Sequence, residues 1–314
     1  MASRTDVIGF WAVRSAVTLG ALVSVWAAVS TGSMLVHGHP AYTVILAVTF
    51  GVCVVVAVRS WRRRVVVRRR LRPLRVVAFG LGVIVIAAVA WLVPSSADEP
   101  ALAAMRSDAA VTVTEDATEI VLTPTGTVRA TGVFFQPGAT VDARAYAAVL
   151  RPLAEAGHLV VIPKQPLGIA FLSAAAFGGA RSAHASVTQW VVGGHSLGGT
   201  VAAIDAGSFA GASTWKVVGL LLYASYPATD MSGLGARVLS VSGSNDGLAT
   251  PAKIDASKPS LPADTQYVVI AGGVHAFFGD YGPQAGDGVA GVSHDDARTQ
   301  IEQASVTFVN GFDG

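Results

Sequence analysis

The sequence predicts an α/β domain, a mostly parallel eight-stranded sheet with helices on both faces, preceded by three transmembrane helices. Three observations lead there. The 314 residues are 52% hydrophobic and only 13% charged, about half the charge of an ordinary soluble domain. That charge is divided. Residues 1–93 carry 11 Lys/Arg and one acid, whereas residues 94–314 carry 11 Lys/Arg and 19 acids, so the two parts face different surroundings. From about residue 110, short β-branched runs alternate with Ala-rich stretches of helical spacing.

Three apolar stretches, 8–29, 40–58 and 76–93, approach the roughly 20 residues that cross a hydrocarbon core. Arg14 lies within two turns of the first one's start, where its guanidinium reaches the interface. Trp11, Trp61 and Trp91 fall near predicted span ends, where amphipathic rings anchor at headgroup level. Nine arginines crowd between Arg59 and Arg75, while the link 31–39 has no Lys, Arg, Asp or Glu. By the positive-inside rule the N-terminus is then cytoplasmic and everything after residue 93 is extracytoplasmic, at a plasma membrane. The same arginines are the one starting point for a nucleic-acid reading, which their place between two spans argues against. Two preceding spans also argue against a cleaved signal sequence at 76–93. His37 and His39 lack a third ligand and are given no metal.

Residues 94–110, rich in Pro, Ser, Ala and Asp, read as an extracytoplasmic linker to a domain over 111–314. Eight strands are expected at 111–114, 119–122, 132–135, 159–162, 189–192, 217–223, 238–241 and 267–271, the first two forming a hairpin. Helices are expected at 143–156, 168–179, 197–209, 251–256 and 295–310. A lone cysteine, Cys53, excludes an intramolecular disulfide framework and any Cys-based zinc cluster.

Chemistry concentrates at Gly194-His195-Ser196-Leu197-Gly198-Gly199, directly after an expected strand and directly before an expected helix. A sharp strand-to-helix turn forces its middle residue into strained backbone geometry, and Gly194 and Gly198 leave room for it to close. Ser196 Oγ then stands exposed above the sheet. A serine hydroxyl needs a base oriented by a carboxylate. Asp246, in Ser244-Asn245-Asp246-Gly247, and His275, in Gly272-Gly273-Val274-His275, each follow an apolar strand and so reach the same sheet edge. Asn245-Asp246-Gly247 is also a turn signal, which leaves Asp280 as a substitute acid. His195 reads as structural, because consecutive residues leaving a tight turn cannot both point at one atom.

At these residues, and over about 118–310, the sequence resembles the α/β-hydrolase fold. Pro137-Gly138-Ala139, the glycine-flanked Ser196 turn, Ser244 to Gly247, and His275-Ala276-Phe277-Phe278-Gly279-Asp280-Tyr281-Gly282 look like its fold-5 subfamily, near the dienelactone hydrolases. The resemblance implies Ser196 as nucleophile, Asp246 as acid and His275 as base. Dienelactone hydrolases proper use cysteine as nucleophile, so their lactone chemistry is not carried over to a serine.

An oxyanion needs two backbone donors. One is expected from Leu197, at the start of its helix; the other comes from Gly138 or Ala139, since Pro137 has no N–H, and the resemblance favours Ala139. Lys164, Gln165 and Tyr226 fall just beyond strand ends, with Gln165 and Tyr226 as candidate pocket lining. Only about 13 residues separate the expected strands 217–223 and 238–241, too few for a large cap. The expected activity is therefore a membrane-anchored serine hydrolase of esters or thioesters, acting on a small-molecule or lipid-like acyl substrate through an acyl-enzyme. It needs no metal or organic cofactor. The same triad also serves acyl transfer to an envelope acceptor, and the same fold serves a catalytically silent binding module. Oligomeric state is not legible.

Overall fold

The structure, a computed structural model, describes residues 4–62 and 72–313, and divides into two compact units at Pro94/Ser95. The first holds helices α1 (Arg4–Thr31), α2 (Met34–His37), α3 (Pro40–Arg62) and α4 (Arg72–Trp91). Three segments, Val7–Thr31, Pro40–Arg62 and Pro73–Trp91, are long and apolar enough to cross a membrane. Gly20 is a crossing point of this bundle, since a Cβ there would meet Ile86 Cδ1 at 2.6 Å and Cys53 Sγ at 2.7 Å. A small residue lets α1 approach its neighbours closely. Arg14, expected to reach the interface, makes contacts within this unit: its Nε donates to the Ser60 carbonyl at 3.0 Å, and its guanidinium lies 4.0 Å from the Phe10 ring centre and 4.8 Å from that of Trp61. Of the arginine-rich segment, Arg59 and Arg62 close α3 and Arg72 and Arg75 open α4, while 63–71 lies outside the described residues.

The second unit begins at Ser95. Residues 95–110, expected as a linker, are part of the fold. Ser95 N–H donates to the Thr140 carbonyl at 2.7 Å, Asp98 N–H to the Asp280 carbonyl at 2.8 Å, and a short helix α5 (Ala101–Ala104) follows, with Ala97 and Ala101 buried. Small side chains and backbone bonds do the docking here, so the segment lacks the periodicity of large apolar residues by which folded elements are recognised.

All eight expected strands form: β1 (Val111–Glu115), β2 (Glu119–Pro124), β3 (Thr131–Gln136), β4 (Val160–Pro163), β5 (Gln189–His195), β6 (Lys216–Tyr223), β7 (Arg237–Gly243) and β8 (Gln266–Ile270). They make one sheet in the order β1-β2-β4-β3-β5-β6-β7-β8. β1–β2 is the expected hairpin, β2–β4 is antiparallel, and the remaining neighbours are parallel. The central strands are buried on both faces, because successive side chains alternate between two cores. Val133, Phe135, Val191 and Leu221 join one core with Tyr146 and Leu150, whereas Phe134, Val192, Leu220 and Leu222 join the other with Phe177 and Trp190.

Helices α6 (Ala147–Glu155), α7 (Ala176–Ala183), α8 (Leu197–Phe209), α9 (Pro251–Ser257) and α10 (His294–Asn310) complete the layers. The expected helix at 143–156 begins instead as a 3-10 turn, Ala143–Tyr146. That at 168–179 is displaced: Leu167 and Gly168 take φ of 56° and 65°, 3-10 turns span Pro166–Gly168 and Ala170–Ser173, and α7 starts only at Ala176. Gly168 is fixed there by Thr140, whose Cα would lie 2.8 Å from an added Cβ. Tertiary contact overrides helical spacing.

Candidate active site

β5 runs through His195, α8 begins at Leu197, and Ser196 between them has φ 51° and ψ −122°. A non-glycine residue with positive φ is held there only by its surroundings. These are visible. Ser196 N–H donates to the Tyr223 carbonyl at 3.0 Å, and Ser225 Oγ donates to the Ser196 carbonyl at 2.6 Å. A Cβ on Gly194 would lie 2.6 Å from the Gly198 carbonyl oxygen, and one on Gly198 would collide with the carbonyls of Gln136 and Pro137. The turn closes only because both are glycine.

Asp246 follows β7 and His275 follows β8, and the fold brings them together: His275 Nδ1 lies 2.8 Å from Asp246 Oδ2, with both residues buried. Asp246 Oδ1 accepts the N–H groups of Leu248 at 2.7 Å and Ala249 at 2.8 Å. A carboxylate whose two oxygens both accept is suited to receive Nδ1–H, which leaves Nε2 as the basic nitrogen. The His275 ring is 4.5 Å from that of His195, so it lies beside the Ser196 turn. His195 itself faces the interior, its Nδ1 2.8 Å from the Tyr146 hydroxyl and its ring stacked at 11° on Phe278. Burial, and then the neighbouring His275, push its pKa well below the ordinary histidine value. It is held neutral, in the structural place expected of it.

The same tyrosine separates the two candidate amides. Gly138 N–H donates to Tyr146 Oη at 2.9 Å, and Ala139 N–H has no carbonyl acceptor among the described residues. Leu197 N–H is likewise without one. Gln165, expected as pocket lining, is buried against the Pro137 loop: its Nε2 donates to the Pro137 carbonyl and to Gln136 Oε1, both at 3.0 Å. Tyr226 is half-buried against the core, its carbonyl accepting from Thr200 Oγ1 at 3.1 Å. Lys164 is an ion-pair partner of Glu115 at 2.8 Å.

The sequence model of the alpha/beta hydrolase family matches residues 132–299, more than half of the chain. The chain belongs to the alpha/beta hydrolase family. No curated protein matches it. Similar solved structures include one described as a predicted CIB-like hydrolase from Thermoplasma acidophilum, 13% identical, covering 64% of this chain and 99% of that one at a TM-score of 0.49. An esterase from Thermogutta terrifontis is 15% identical, with 64% and 93% covered at 0.45, and a dienelactone hydrolase from Anabaena variabilis is 16% identical, with 60% and 88% covered at 0.45.

Two further acids of this hydrolase are placed by the fold. Asp280, the substitute acid, is buried with Arg298 at 3.0 Å and His294 at 3.4 Å, not with His275. Asp287 was not considered, yet its carboxylate accepts four backbone N–H groups: Gly247 and His275 at 3.1 Å, Ala276 at 2.8 Å and Gly288 at 2.7 Å. Burial pushes this carboxyl up, but those donors outweigh it and hold it below the usual carboxylate range. One side chain thereby ties the Asp246 loop to the His275 loop. Its only sequence signal is an acid between glycines, Gly286-Asp287-Gly288, in a stretch without periodicity.

Proposed function

We propose that this hydrolase is a membrane-anchored serine esterase or thioesterase working through a Ser196–His275–Asp246 triad. The observation that carries the reading is the 2.8 Å contact from His275 to Asp246 beside a serine at positive φ. Ser196 Oγ attacks the acyl carbonyl while His275 Nε2 takes its proton, and the charge formed on the carbonyl oxygen is met by the Leu197 and Ala139 amides. Collapse breaks the ester bond, and His275 returns the proton to the leaving alcohol or thiol. Water, deprotonated by the same Nε2, then cleaves the acyl-enzyme to a carboxylic acid and free Ser196.

A fluorophosphonate probe tests the mechanism: full-length protein should label and Ser196→Ala should not. Full ester turnover by Ser196→Ala would overturn it. An unlabelled wild-type protein without turnover would instead favour a binding module.

Three apolar spans and the arginine cluster support a cytoplasmic N-terminus and an extracytoplasmic hydrolase unit at the plasma membrane. In intact cells, a cysteine replacing Arg68 should resist an impermeant thiol reagent, whereas one replacing Asp108 should react. The opposite pattern would reverse the orientation.

A further inference from the structure

We propose that Tyr146 and His195 are positioning residues for the oxyanion: a hydrogen-bonded chain from the Gly138 amide through the Tyr146 hydroxyl to His195 Nδ1 fixes the loop that presents the Ala139 amide against the loop that carries His275. The proposal rests on the hydrolase reading above and deepens it. The direction of each bond follows from counting protons. Gly138 N–H can only donate, and it reaches Tyr146 Oη at 2.9 Å. Burial pushes the Tyr146 pKa well above the ordinary phenol value, so the hydroxyl keeps its own proton, and His195 Nδ1 lies 2.8 Å away to accept it. His195, held neutral, therefore accepts on Nδ1 and carries its single hydrogen on Nε2. Tyr146 and His195 are 0% and 1% exposed, so water does not compete for these bonds.

The chain lies between the two loops. On one side, a Cβ added to Gly138 would stand 2.7 Å from His195 Nδ1 and 3.0 Å from Tyr146 Oη, so this loop rests directly on the pair. On the other side, His195 stacks on Phe278, three residues after His275, and a Cβ added to Gly279 would meet Tyr146 Cε1 at 3.0 Å. The far end of Gly138 is held as well, its carbonyl accepting Val141 N–H at 3.2 Å. In a trans peptide the C=O and the following N–H point in opposite directions, so the bond to Val141 aims Ala139 N–H the other way. With its amide on Tyr146 and its carbonyl on Val141, Gly138 is fixed at both ends, and the direction of the Ala139 donor is set with it.

The test uses the full chain in detergent micelles, with turnover expressed per site labelled by a fluorophosphonate probe so that misfolded protein does not count. Tyr146→Phe keeps the ring and removes only the hydroxyl. Outright loss of an oxyanion donor costs about 10²–10³ in kcat, so a donor left in place but unfixed should cost about tenfold, with KM for p-nitrophenyl acetate unchanged. A trifluoromethyl ketone should bind more weakly by a similar factor, because Ser196 Oγ bonds its carbonyl carbon, the Oγ proton passes to His275 Nε2, and the ketone oxygen becomes the anion that the amides hold. His195→Leu should match Tyr146→Phe, whereas His195→Asn, whose Oδ1 stands in for Nδ1 as acceptor, should recover most of the loss. A loss confined to KM, an unchanged kcat and ketone affinity, or a His195→Asn protein as impaired as His195→Leu would each overturn the positioning role. The chain has a readout of its own: by nitrogen NMR of histidine-labelled protein, His195 Nδ1 should resonate as an unprotonated ring nitrogen and Nε2 as a protonated one. A proton on Nδ1 would overturn the chain in an active or an inactive protein. A wild-type protein that shows the Nε2–H form yet neither labels nor turns over would bring down the hydrolase reading, and the oxyanion role with it, while the chain stood.

Discussion

Asp246 and Asp280 are both fully buried carboxylates beside a histidine, on either side of His275, and their surroundings treat them in opposite ways. Among the described residues no Lys or Arg is paired with Asp246. Its two oxygens receive N–H groups from Leu248, Ala249 and His275. Asp280 has Arg298 and His294 on one oxygen, while the other has no protein partner among the described residues, and burial raises its pKa in spite of the attraction to both. On the proposed mechanism the comparison teaches that oriented donors on every oxygen, and not the nearness of positive charge, suit a buried carboxylate to orient a base.

The sharpest way to break this comparison is to neutralise each acid in turn. Asp246→Asn should lower kcat on p-nitrophenyl acetate by about 10⁴-fold, as in other triads where the acid becomes its amide, while Asp280→Asn should stay within a few-fold. The reverse ranking would move the triad acid to Asp280.

A smaller effect is expected at Asp287, whose hydrogen bonds among the described residues all go to backbone N–H groups. Removing its four acceptor contacts in Asp287→Ala loosens both loops, and a displacement of about 1 Å at the reacting groups costs on the order of 10²-fold in kcat. The sign of its pH dependence follows from a lowered folded-state pKa. Its contribution to stability is complete above the unfolded value of about 3.9 and is lost as pH falls through the folded one. The melting-temperature gap between wild type and Asp287→Ala should therefore be full at pH 7 and shrink below about pH 4. A gap independent of pH would remove the carboxylate from this role.

The smallest effect belongs to Glu302, near Asp280 on α10. Burial pushes its carboxyl up to about 7 against the pull of Arg298, with Asp280 and Glu155 adding to the rise. A raised acid pKa destabilises the fold as the pH climbs from the unfolded value of about 4.3 towards 7, and the penalty is constant above that. Glu302→Gln should thus melt slightly higher than wild type at pH 8 and alike at pH 4. A stabilisation present at both would assign the gain to packing instead.

Much of the molecule was legible because its signals are short-range. Apolar length marked the candidate spans, β-branched runs gave all eight strands, and the glycines around Ser196 announced a turn that only small residues can close. Those features depend on sterics and side-chain alternation within a few residues, which a sequence displays directly. What only the tertiary structure decided involves partners distant in the chain. Asp246 meets His275 across 29 residues, Asp287 meets Gly247 across 40, and Tyr146 takes the Gly138 amide across 8. Gly168 breaks an otherwise helical stretch because Thr140 lies against it, and 95–110 folds because Thr140 and Asp280 accept its backbone N–H groups. Hydrogen bonds between loops obey distance in space and have no period along the chain, so sequence spacing carries no trace of them.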